Sequence, residues 1–156
     1  MRPLFQKSFV AALAAAAILV AADQYTKWLS HKLIPPGGQV NVLSFFGFVN
    51  VINRGAAFGS LQNLGNIPFM ILAGIAIVIV LAVAYRDREN RVGLVLILSG
   101  AAGNLIDRAM LAHVRDFIDL HAGSHHWPAF NLADSYLTIG VILILAKEVF
   151  KEKSHS

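Results

Sequence analysis

Apolar residues fall into four long stretches separated by polar and charged ones. Ile67 to Tyr85 runs without a charge, close to the roughly 20 residues that a membrane-crossing helix needs. The other three are shorter between charges. Ser8 to Ala22 stops at Asp23, Val92 to Ile106 stops at Asp107, and Phe130 to Ala146 carries Asp134 near its start. To reach full length, each must take its carboxylate into the membrane's edge. The pattern predicts a membrane α-helical protein with one integral domain over residues 1–156. Its four transmembrane helices cover about 8–27, 67–85, 92–112 and 130–150, joined by outer loops at about 28–66 and 113–129.

The first outer loop has structure of its own. After the turn-forming Pro35-Pro36-Gly37-Gly38, Gln39 to Asn53 is rich in Val and Phe with partial alternation. That predicts two short strands joined through Gly47, forming a small extracytoplasmic β platform on the membrane. Gly55-Ala56-Ala57-Phe58-Gly59 follows and permits close backbone approach.

Composition supports the membrane reading. Hydrophobic residues make up 56% and charged ones 14%, where a soluble domain carries about a quarter charged. The 13 Lys and Arg lie mostly beside the apolar runs. Arg2 and Lys7 precede the first, Arg86, Arg88 and Arg91 fill the short link between the second and third, and Lys147, Lys151 and Lys153 follow the fourth. By the positive-inside rule these three sets are cytoplasmic, and so are both termini. No basic stripe with interleaved aromatics points to nucleic acid. The chain has no cysteine, which excludes a disulfide framework, a thiolate nucleophile and a dithiol relay. The first run, with Val20-Ala21-Ala22 at its end, has the look of a cleavable signal peptide. The favoured reading retains it as a span.

This topology brings Asp23, Asp107, Asp116 and Asp134 into one layer at the outer membrane surface. A carboxylate near hydrocarbon is a functional-site hypothesis by default. Each also has a plain structural reading. Asp23 and Lys27, four residues apart, make an ion pair on one helix face. Asn104 and Arg108 share a face beside Asp107, where Ser99, Gly100 and Gly103 suit helix packing. Asn131 and Asp134 have capping-box spacing, and Asp116 alone is an ordinary loop acid. The histidines at 113, 121, 125 and 126 have spacing that fits no closed metal site, and His125-His126 reads as solvated, so no metal is assigned. Taken together, Asp116 and Asp134 suggest two carboxylates sharing a proton, which is acid–base chemistry. A small ion-coupled membrane transporter is the alternative, but the polar residues gather at one face and leave no relay across.

Five ordered motifs resemble the lipoprotein signal peptidases (signal peptidase II): Asp23-x-x-Thr26-Lys27, Asn53-Arg54-Gly55-Ala56-Ala57-Phe58-Gly59, Gly103-Asn104-x-x-Asp107-Arg108, Val114-x-Asp116-Phe117 and Phe130-Asn131-x-Ala133-Asp134-Ser135. One departure is Ser99-Gly100-Ala101-Ala102, where a second glycine is expected. The resemblance implies an intramembrane aspartyl endopeptidase of the bacterial cytoplasmic (inner) membrane. Its substrates would be diacylglyceryl-modified prolipoproteins, cut just before the lipidated cysteine. Asp116 and Asp134 would form the catalytic dyad. Asn53, Gly55, Asn104, Arg108 and Asn131 would line or brace the site, and Asp23, Lys27 and Asp107 would support it. No cofactor is implied. The expected partners are its substrates and membrane lipids, and the expected state is a monomer.

Overall fold

A computed structural model describes residues 2–55 and 66–153. Four helices frame it: α1 (Arg2–Leu33), α2 (Ile67–Arg86), α3 (Arg91–Leu111) and α4 (Leu132–Lys153). Three of them, over Lys7–Leu33, Ile67–Arg86 and Arg91–Leu111, are long and apolar enough to cross a membrane. Helix α4 has the length, at 22 residues, but carries Asp134, Lys147, Glu148 and Lys151. The first helix is continuous through Asp23 and runs six residues beyond Lys27, past the expected span.

Helix α3 is the hub and packs on the other three. Its small residues explain why. A Cβ at Gly93 would lie 2.6 Å from Ile144 and 2.9 Å from the Gly140 carbonyl, and one at Gly140 would lie 2.7 Å from the Gly93 carbonyl. One at Gly100 would strike the Ala133 carbonyl, and one at Gly103 would lie 2.5 Å from Asp23 Oδ2. Lipid tails are as apolar as a leucine side chain, so helices in a bilayer associate through such close backbone approach and through polar contacts.

A four-stranded antiparallel sheet caps one end, in the order β1 (Gln39–Leu43), β2 (Phe46–Asn53), β3 (Val114–Ala122), β4 (His125–His126). The two expected strands of the first loop are present, but the connection falls at Ser44-Phe45, and Gly47 pairs with Asn41 inside β2. The second outer loop supplies two further strands, so Asp116 sits on β3 rather than in a loop. Polar residues on both faces of Val114 to Ala122 hide the period-two alternation that would announce it. Asn50 Nδ2 donates to the Ile34 carbonyl at 2.7 Å, fastening the sheet to the end of α1. Ala56 to Gly59 of the glycine-flanked motif lies outside the described residues.

At the other end, Arg91 donates to Ser8 Oγ at 2.6 Å and to the Ala84 carbonyl at 3.2 Å. Lys147 and Lys151 lie 4.0 Å and 3.5 Å from Glu89. The start of α1, the α2–α3 link and the end of α4 therefore meet there.

Candidate active site

Beneath the sheet α1, α3 and α4, together with β3, bury a polar network that a membrane interior tolerates only when every member is paired. Asp23, Lys27, Asp107 and Asn131 are fully buried, and Asp116 is 1% exposed. Lys27 Nζ stands 2.9 Å from Asp23 Oδ2 and 3.7 Å from Asp107 Oδ2, and donates to Asn104 Oδ1 at 3.0 Å. Asp23 Oδ1 accepts the Ala133 N–H at 2.9 Å, tying α1 to the first turn of α4. Asp107 takes Arg115 through both oxygens, with Nη2 at 2.7 Å and Nε at 3.2 Å, and also accepts the Arg115 backbone N–H at 2.9 Å. Two carboxylates and two cations cancel here, which keeps the buried cluster neutral.

The remaining pair sits beside it. Asn131 Nδ2 donates to Asp116 Oδ1 at 2.6 Å, and the Asn131 backbone N–H donates to Asp134 Oδ2 at 3.2 Å. Asn104 Nδ2 donates to the other Asp134 oxygen at 2.8 Å. The Asp134 N–H returns to Asn131 Oδ1 at 3.0 Å, so the capping box exists as well. One residue, Asn131, thus holds both carboxylates, Asp116 through its side chain and Asp134 through its backbone N–H, while the box fixes Asp134 on the first turn of α4.

Burial pushes the Asp116 carboxyl up to about 6, and the charge of Asp134 pushes the same way, against hydrogen bonds from Asn53 and Asn131. Two carboxylates this coupled do not both ionise easily. Arg108 is close enough to feel the charges of both. Its guanidinium lies over the Phe69 ring, 5.5 Å from the centroid, and Nη1 reaches the Asn104 carbonyl at 3.4 Å. Gly55 has φ 81°, a backbone conformation that side-chain-bearing residues rarely adopt, and a Cβ there would fall 2.8 Å from the Phe69 ring. Its N–H donates to Asn53 Oδ1 at 2.9 Å. A groove of about 440 Å³, with Leu120, Trp127, Phe130 and Ile139 in its wall, opens onto Asp134.

All ten residues singled out from the sequence therefore fall in this region. Three others were missed. Gln24 bridges Asp23 Oδ2 (3.1 Å), the Gly103 carbonyl (3.0 Å) and Arg115 Nη2 (3.1 Å). Arg115 clamps Asp107. Asp119 lies with His121 and His126 on the sheet. Adjacency to Asp23 and Asp116 was the available signal for the first two.

A profile of the Signal peptidase (SPase) II family matches residues 15–150. The lipoprotein signal peptidase of Thermodesulfovibrio yellowstonii is 41% identical over 134 residues, 86% of this chain and 91% of that protein. The one from Francisella tularensis subsp. novicida is 36% identical over 146 residues, 88% of this chain and 91% of its own. A bacterial membrane enzyme solved by the in meso method at 2.3 Å resolution superposes with a TM-score of 0.81 at 33% identity, covering 94% of this chain and 91% of that one.

Proposed function

The chain belongs to the signal peptidase II family, membrane peptidases of lipoprotein precursors, and from that premise we propose that it is an aspartyl endopeptidase with Asp116 and Asp134 as its dyad. It cuts the signal peptide from diacylglyceryl-modified prolipoproteins just before the lipidated cysteine. The observation that carries this reading is the Asn131-bridged pair of carboxyls, one of them nearly sealed from water and poised to keep its proton to about pH 6.

Asp116 holds the shared proton and hydrogen-bonds the scissile carbonyl. Ionised Asp134 takes a proton from the attacking water, whose oxygen bonds to the carbonyl carbon. The proton then passes to the departing amide nitrogen as the C–N bond breaks. Asn104 and Asn131 orient the carboxyls, and the Asp23–Lys27–Asp107–Arg115 cluster positions the three helices and β3 around them. Asn53 and Gly55 present side chain and backbone to the peptide, and Arg108 sets the local charge.

The groove opening onto Asp134 supports a peptide seat. A second, apolar groove of about 330 Å³, lined by Leu29, Leu33, Val40, Phe48 and Phe117 between α1 and the sheet, suits the acyl chains. The basic residues gathered at the end opposite the sheet favour a cytoplasmic position for both termini, with the site at the outer face of the bacterial inner membrane. No cofactor enters this mechanism.

Cleavage of diacylglyceryl-modified precursor by purified enzyme tests the assignment. Asp116→Asn and Asp134→Asn should each lose roughly 10²–10⁴-fold in turnover, the usual worth of acid–base groups, with normal accumulation in the membrane. Asn at position 134 still offers an oxygen to the Asn131 N–H, so a purely capping role predicts retained turnover and overturns the dyad.

A further inference from the structure

On the sheet, away from the dyad, three ligand-bearing side chains converge. Asp119 is only 4% exposed, and its two carboxylate oxygens face different imidazoles. Oδ2 lies 2.7 Å from His121 Nδ1, and Oδ1 lies 2.8 Å from His126 Nδ1. One ligand atom from each of the three residues falls within 4.8 Å of the other two, and the two ring centroids stand 5.0 Å apart at 31°. Gln39 Nε2 donates to Asp119 Oδ2 at 3.2 Å from β1, fixing the carboxylate from the far side. Asp119 is three residues from Asp116 on β3, so strand alternation turns it to the opposite face.

We propose that Asp119, His121 and His126 form a binding site for a divalent first-row transition metal such as Zn²⁺. Two imidazole nitrogens and one carboxylate oxygen are the donor set such borderline ions take, with solvent completing the shell. Donors around one tetrahedral Zn²⁺ stand roughly 3.3 Å apart, from bond lengths of about 2.0–2.2 Å. Insertion therefore asks each ring to part from its nearer Asp119 oxygen by about half an ångström and the carboxylate to turn so that one oxygen faces both rings. Each Nδ1 offers its lone pair to the metal while the ring carries its single proton on Nε2. That is a change of tautomer with no net proton to lose from a neutral imidazole. The half-exposed His126 gives the ion a way in.

Such a metal ties β4 to β3. The chain then continues through Trp127, whose N–H donates to the Leu120 carbonyl at 2.8 Å, to Phe130, whose N–H donates to the Ile118 carbonyl at 3.1 Å. Asn131 follows at once. The ion thus braces the strap that leads into the candidate active site without touching the reacting groups. The sequence reading, in which the histidine spacing fits no closed site and His125-His126 is solvated, did not see Asp119, because only the hairpin brings positions 119, 121 and 126 together.

Full-length protein in detergent, free of any added histidine tag, is titrated calorimetrically with ZnCl₂ and spectroscopically with Co²⁺. One Zn²⁺ per chain at micromolar affinity is expected, with a Co²⁺ visible band of a low-coordinate site, and slower amide exchange over residues 123–130. His121→Ala and His126→Ala should each weaken binding by roughly 10–100-fold or more, given that loss of merely supporting partners already costs that much. Asp116→Asn, His113→Ala and His125→Ala should leave it unchanged. His126 is on the exposed two-residue β4, so its variant remains informative if His121→Ala does not fold. Absence of saturable binding, binding that survives both histidine variants, or binding that disappears with Asp116→Asn overturns the proposal.

Discussion

Helices α2 and α3 are nearly the same length, at 20 and 21 residues, yet opposite in use. The most apolar window of α2 has mean hydropathy 2.9, and 6% of it is buried within the protein. For α3 the values are 1.5 and 50%. In a water-soluble fold the more apolar helix would be the inner one. Here the bilayer is the better partner for Ile71, Leu72, Ile75 and Val78, all of which are exposed on the protein surface. Backbone contact and hydrogen bonds reward small and polar residues between helices instead. Helix α3 supplies them as Gly93, Ser99, Gly100, Gly103, Asn104 and Asp107, all buried. The polar helix is therefore the structural centre as well as the one that touches the candidate site.

The sharpest way to break this comparison is to remove a charge from α3. Asp107→Ala leaves Lys27 and Arg115 without their shared carboxylate, inside a cluster where Asp107 and Lys27 have no exposure. Taking one partner from a buried pair costs about 3–5 kcal/mol. The variant should fail to accumulate in the membrane, or should melt far below the parent in detergent. A near-normal melting temperature would show that water reaches the cluster and that α3 is not the buried hub.

A second effect is pH-dependent and concerns the sheet's contribution. The Asp116 carboxyl titrates near 6 in the folded protein, against 3.8 for the free side chain. Between those values the folded state holds a proton that the unfolded chain has released. The stability of the parent therefore falls as pH rises from about 4 to about 6, and stays lower above that. Asp116→Asn cannot ionise and still accepts from Asn131 Nδ2. It should match the parent near pH 4 and exceed it at pH 7–8 by up to ~3 kcal/mol, the value of that displacement. Melting curves in detergent across this range check it. A variant less stable than the parent at pH 8 would mean that the ionised carboxylate is welcome where it lies.

The sequence revealed the membrane helices and the layer of aspartates because both rest on local signals. Charge-free runs mark the lipid-facing lengths, and Asp23, Asp107 and Asp134 interrupt the runs where they end. Ion-pair and capping spacings within one helix were equally visible, as with Asp23–Lys27 and Asn131–Asp134. Contacts between elements were not. Arg115 and Gln24 meet only because β3 folds back over the end of α1, across 91 residues of sequence. Strand β3 itself was hidden by its acids, since Asp116 and Asp119 point to opposite faces and spoil the alternation. Gly47 drew the turn to itself as a glycine does, although the chain reverses two residues earlier.

The smallest expected effect tests the lipid-facing side of the comparison. Ile75 is 53% exposed on α2, and Leu98 on α3 is 8% exposed. Both lose apolar volume on substitution by Ala. At Leu98 the loss leaves a cavity among neighbouring helices, worth about 2–5 kcal/mol. At Ile75 lipid or detergent chains fill the space in both folded and unfolded states, so Ile75→Ala should cost no more than about 0.5 kcal/mol, as surface changes usually do. Parallel melting of the two variants in the same detergent measures the difference. Equal costs would mean that α2 presents Ile75 to another protein surface. The monomer expectation would then give way to an assembly built on the helix with least support from its own chain.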